Sequence, residues 1–169
     1  KLESNTDKAV LAAGDSGVYR YDQYGALPYD NTSMYMGTNS TSYYFSVANG
    51  NISRFFDEMY LNTPWDYHYS SLDGRTILDR LASVKYFAVK RNGYGYIPYG
   101  YDEEAASTKK YRIYEDEDSL PLGYTYDSWI SREKYEKLSV TEKQQALLQG
   151  AVVENSSLPE TQLSFDDKK

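Results

Sequence analysis

With 169 residues, 25 acidic against 18 basic side chains and a net charge of −7, the chain has the length of one domain and a surface that repels nucleic acid. The absence of cysteine excludes a disulfide framework, thiolate metal sites and cysteine catalysis. Twenty tyrosines are the compositional anomaly, and most are expected in strands, where the ring suits a half-buried pleated surface.

Residues 1–17 read as a polar lead-in with one short helical patch from Asp7 to Ala13. A first strand is expected at Val18-Tyr19-Arg20-Tyr21. Residues 25–42 carry Pro28, Asn31, Gly37, Asn39 and Ser40 and read as a long loop, followed by a short strand near Tyr43. Ile52, Phe55, Phe56 and Met59 then fall at helical spacing, with Asn49 or Asn51 as the cap. Residues 61–72 read as irregular and hold the single histidine, His68. Asp73 is expected to cap a second helix whose apolar stripe is Ile77, Leu78, Leu81 and Val84.

A buried strand over residues 84–89 leads into the glycine- and tyrosine-rich loop 93–101. Tyr111-Arg112-Ile113-Tyr114 reads as a second strand and the proline-opened segment 120–126 as a third. Ser131 caps a short helix through Leu138. Ser139 and Glu142 form a capping box for another helix running to about Glu154. Residues 155–169 are polar, acidic and without periodicity, the pattern of a disordered tail. The expected fold is α+β: residues 18–154 form one domain, a mixed sheet of about four strands with helices on one face and a C-terminal helical segment.

Chemistry-bearing constellations are sparse. There is no G-x-S-x-G, no P-loop and no complete G-x-G-x-x-G, so no catalytic residue, metal or cofactor is assigned. Asp102-Glu103-Glu104 and Glu115-Asp116-Glu117-Asp118 read as solvated turns, lacking the spacing of a Ca²⁺ loop. Tyr94, Tyr96, Tyr99 and Tyr101 are the ligand-binding candidates, because a loop tyrosine can stack on a sugar face while its hydroxyl bonds a substituent. Trp65, His68, Asn39 and Tyr43 are candidate neighbours. Local basic patches, Lys109-Lys110 and Lys85 with Lys90-Arg91, are the places where an anionic ligand escapes the overall negative field.

Leu81 with Val84-Lys85-Tyr86, then Pro98-Tyr99-Gly100-Tyr101, then Leu120-Pro121-Leu122-Gly123-Tyr124 form an ordered set that resembles the bacterial YfhO membrane-protein family. Residues 19–59 and 128–154 extend the resemblance to about four-fifths of the chain. It implies an extracytoplasmic domain of a polytopic, GT-C-like membrane glycosyltransferase linked to glycosylation of cell-envelope polymers such as lipoteichoic acid. In that setting this domain, not itself catalytic, would recognise a glycan or lipid-linked acceptor beside the parent's membrane domain. A docking domain for an envelope partner is the alternative, and an independent glycan hydrolase a third reading. No run here approaches the roughly 18 apolar residues of a membrane helix.

Overall fold

The computed structural model describes residues 5–24, 31–47, 49–61, 63, 67–93 and 95–166. Its centre is β4 (Val84–Lys90), in a four-stranded mixed sheet of order β1-β4-β6-β5, with β1 at Arg20–Gln23, β5 at Glu103–Ser107 and β6 at Tyr111–Glu115. β1 runs parallel to β4, whereas β4–β6 and β6–β5 are antiparallel. The expected α+β class and mixed four-stranded sheet are thus present. β4 is buried on both faces, which suits its aromatic and β-branched residues.

Alternation along β4 divides the apolar residues. Phe87 and Val89 join Phe56, Met59, Leu78, Tyr114, Ile130, Tyr135 and Ala146 in the larger core. This core lies under α3 (Gly50–Glu58), α4 (Thr76–Leu81), α5 (Arg132–Glu136) and α6 (Val140–Leu147). Tyr86 and Ala88 face the other way, with Tyr21 and Ile113, against Ala9 and Val10 of α1 (Asn5–Leu11). The sheet is therefore covered on both faces, one layer more than expected. The presumed lead-in helix supplies that layer, anchored where the Tyr21 hydroxyl donates to Asp7 Oδ1 (2.7 Å).

Several expectations are corrected. The strand expected over residues 120–126 does not form: Pro121 lacks a donor, and the segment is held instead by its tyrosine hydroxyls. Tyr124 donates to Leu81 O (3.1 Å) and Tyr126 to Leu147 O (2.6 Å). The fourth strand is β5, built from part of the supposed acidic turn; its exposed Glu103 and Glu104 lie on an edge, where charge discourages further pairing. Phe56 and Met59 of the expected stripe are buried and Phe55 packs against the core, whereas Ile52, in the first turn of α3, is exposed. Asp73 is not a cap: Arg75 precedes α4, and Asp73 and Gly74 both have positive φ. The loop at 25–42 includes α2 (Thr32–Met36), and two-stranded pairing joins β2 (Tyr43–Tyr44) to β3 (His68–Tyr69).

The Ser139–Glu142 capping box forms, Glu142 N donating to Ser139 Oγ and Ser139 N to Glu142 Oε2. Yet α6 stops at Leu147, and β8 (Ala151–Val153) pairs in parallel with β7 (Trp129–Ser131). Residues 155–166, expected to be disordered, dock on this pair. Trp129 N donates to Pro159 O (3.2 Å), Trp129 Nε1 to Leu158 O (2.8 Å) and Thr161 N to Trp129 O (2.7 Å). Leu163 and Phe165 then pack on the main core. Gly150 lets this segment approach, since a Cβ there would lie 2.6 Å from Thr161 Oγ1.

Candidate functional site

A tight turn at residues 98–101 organises the site. Pro98 is buried, Tyr101 N donates back to Pro98 O (3.3 Å), and Gly100 has φ 91°, as the third residue of a type II turn requires. A side chain at Gly100 would also collide with Arg80, whose Nη2 would lie 2.8 Å from the added Cβ. Tyr101 anchors one side: it is 1% exposed, its ring contacts Phe87, and its hydroxyl donates to Val84 O (3.1 Å). Thr76 Oγ1 donates to Tyr99 O (2.6 Å) and ties the turn to α4. With both flanks fixed, Tyr99 projects into solvent at 87% exposure.

Tyr99 and Gly100 line a cleft of about 390 Å³ with Arg80, Asp102, Glu103, Glu115, Asp116, Glu117 and Asp118. Its organising contact is bidentate: Arg80 Nε and Nη2 donate to Asp116 Oδ2 and Oδ1 at 2.7 and 2.9 Å, and Nη2 also reaches Asp118 Oδ2 at 3.0 Å. The Asp116 hydrogen bond raises the Arg80 pKa. The Asp118 amide donates to Asp116 Oδ1 (3.0 Å), so this acidic turn is ordered by its own buried carboxylate. Lys85 closes the neighbouring edge, bonding Asp15 Oδ2 at 2.5 Å and Glu115 Oε1 at 3.2 Å.

Two buried carboxyls outside the cleft's lining were not revealed by spacing alone. Asp22 of β1 and Asp79 of α4 are both 0% exposed. Asp22 accepts from Leu72 N (2.9 Å), Thr41 Oγ1 (2.8 Å) and Gln23 N (2.7 Å). Burial raises its pKa against these bonds. Burial, reinforced by the Asp22 charge, pushes the Asp79 carboxyl far up. Neither Asp79 oxygen has a well-formed hydrogen bond, and its polar neighbour, the Tyr101 hydroxyl, already gives its proton to Val84 O. A protonated Asp79 has the donor that this arrangement lacks. The sequence signal was an acid in the first turn of a helix, which ordinarily marks a solvated face.

The candidate residues are dispersed. Tyr101 is a core residue and unavailable to a ligand. Tyr96 borders the turn, but its hydroxyl donates to Asp73 O and its ring meets Tyr24 edge-on at 5.3 Å. Tyr43 stacks on Tyr69 at 4.9 Å, and His68 on Tyr44 at 4.6 Å, both in the β2–β3 pair. Asn39 is held at β1, its Nδ2 donating to Tyr19 O (3.0 Å) and its carbonyl accepting from Tyr21 N. None of Asn39, Tyr43 and His68 lines the cleft. Trp65 and Tyr94 lie outside the described residues. Among the described candidates only Tyr99 combines exposure, a fixed backbone and a concave neighbour.

Among the described residues no helix is long and apolar enough to cross a membrane. No solved structure matches the chain. A protein of Bacillus subtilis (strain 168), named "Uncharacterized protein YfhO", is 28% identical over 131 residues, which is 76% of this chain but 15% of that protein. The family model described as "Bacterial membrane protein YfhO" matches residues 2–169. The chain therefore belongs to the YfhO family of bacterial membrane proteins.

Proposed function

We propose that this chain is an extracytoplasmic, non-catalytic part of a glycosyltransferase-like membrane protein, and that it recognises a glycan or the sugar-bearing portion of a lipid-linked acceptor of the lipoteichoic acid type. The observation that carries this reading is the exposed Tyr99 ring beside a cleft of carboxylates and one arginine. An aromatic face takes the apolar face of a pyranose, while carboxylates accept bonds from sugar hydroxyls and a guanidinium donates to ring oxygens. A neutral sugar is favoured over a polyanion, because the cleft holds six carboxylates and one cation.

Glycan-array binding by the chain, repeated with Tyr99→Ala, tests the reading. Binding that is lost in a variant with unchanged melting supports it. Binding that survives, or no binding with full activity of a Tyr99→Ala parent, moves the role to docking of an envelope partner. Turnover of envelope glycans by the isolated chain, abolished by a single carboxylate substitution, would show that the chain is itself an enzyme.

A further inference from the structure

The far end of the same sheet has the opposite chemistry. A cavity of about 360 Å³ is lined by Asn5, Lys90, Asn92, Lys109, Lys110 and Tyr111. Three of the six are lysines and none is acidic, in a chain where acids outnumber bases 25 to 18. Among the described residues none of these lysines is within ion-pair distance of a carboxylate. The expected association of Lys85 with this patch does not occur, since Lys85 bonds Asp15 and Glu115 instead.

The backbone beneath the lysines is fixed in advance. Lys90 and Tyr111 face each other as the last pair of the β4–β6 ladder. The turn carrying Lys109 and Lys110 is closed by Thr108 N donating to Tyr111 O (2.8 Å) and by Tyr111 N donating to Thr108 Oγ1 (3.1 Å). Arg91 clamps it from the opposite strand: its amide donates to Lys110 O (2.8 Å), its Nε to Thr108 O (2.8 Å) and its Nη2 to Ser107 Oγ. The arginine thus holds the frame while three ammonium groups stay available. Asn5, Asn92 and Tyr111, whose side chains carry neutral donors, complete the lining.

From this we infer that the lysine-lined cavity binds a phosphate-type oxyanion, a monoester or a diester. Three point charges without a planar fork suit a rotationally undemanding tetrahedral anion better than a carboxylate that wants bidentate pairing. This cavity is separate from the Tyr99 cleft and does not depend on the glycan reading.

The test is a titration of the chain at low ionic strength, followed by nitrogen–proton correlation spectra, with inorganic phosphate and with glycerophosphodiester. Sodium chloride at matched ionic strength is the control. Saturable shifts confined to Lys90, Asn92 and Lys109 to Tyr111 are expected. They should weaken about ten-fold in a Lys109→Gln/Lys110→Gln variant. A Lys134→Gln/Lys137→Gln variant changes net charge equally outside the cavity and should bind as the parent does. Co-sedimentation with phosphatidylglycerol against phosphatidylcholine vesicles separates the sources. Saturation by soluble phosphate assigns a free phosphate group, whereas binding limited to phosphatidylglycerol and lost in the first variant assigns a lipid headgroup. Shifts reproduced by chloride, equal loss in the two variants, or no response in either arm would overturn the site.

Discussion

The two ends of the central sheet are built from the same three strands yet treat charge in opposite ways. At the acidic end the ion pairs are closed: Arg80 grips Asp116 and Asp118, and Lys85 grips Asp15 and Glu115. At the basic end Arg91 is committed to backbone and hydroxyl contacts and a long ion pair with Glu104 (3.9 Å), and among the described residues three lysines are left without a carboxylate partner. Tyr86↔Glu115 and Lys90↔Tyr111 bound the shared ladder, four residue steps or about 14 Å apart. The lesson is that net charge, here −7, describes neither end. Where a cation is bonded matters more than how many there are.

The most severe way to break the comparison is to remove what both ends share. Phe87→Ala in β4 should cost about 3–5 kcal/mol and loosen both cavities together, read by urea unfolding and amide exchange at Asp116 and Lys110. Arg80→Ala should instead strike only the acidic end. It strands the 1%-exposed Asp116 carboxylate without a counter-ion, at about 2–3 kcal/mol because the arginine itself is partly solvated. An unchanged urea midpoint for Arg80→Ala would mean that water replaces the guanidinium without loss.

The next effect depends on pH. The Asp79 value is raised above its ordinary 3.8 by burial, so the folded chain holds a proton that the unfolded chain has released. Stability from this group is therefore complete below about pH 4 and falls as pH rises towards the raised value, by at most about 1.4 kcal/mol per pH unit. Asp79→Asn should gain on the parent steadily from about pH 5 to pH 8, measured as the difference in unfolding free energy. A parallel pair of curves would show that Asp79 stays ionised. The smallest change in stability should come from Tyr99→Ala, within about 0.5 kcal/mol, because its ring is in solvent; its loss should appear in glycan binding alone.

Sequence patterning reached the elements whose signals are local. The β4 run, the Phe56 and Leu78 helices and the Ser139 box needed only neighbouring residues to be read. β5 escaped because Glu103, Glu104 and Ala105 have little strand preference, and only β6 beside them makes a strand there. Docking of residues 155–166 was invisible for a related reason: its bonds go to Trp129, some 30 positions away. At the site, Tyr99 could be named from a glycine-flanked loop. Its separation from Tyr101 could not, since solvent and core differ there by the direction of one turn.

The parallel pairing of β1 with β4 has a consequence for the order in which the chain assembles. About 60 residues separate Gln23 from Val84, and closing such a loop costs about 3.6 kcal/mol of chain entropy before any ladder bond compensates. The β5–β6 hairpin and its pairing with β4 close much shorter loops and should form first, leaving one margin of β4 waiting for its parallel neighbour. During that interval the unpaired margin is an adhesive edge open to another chain. In pulse-labelled refolding, the Arg20 amide, which donates to Ser83 O, should gain protection after those of Phe87 and Ile113. Simultaneous protection would mean that the two halves of the sheet condense as one nucleus.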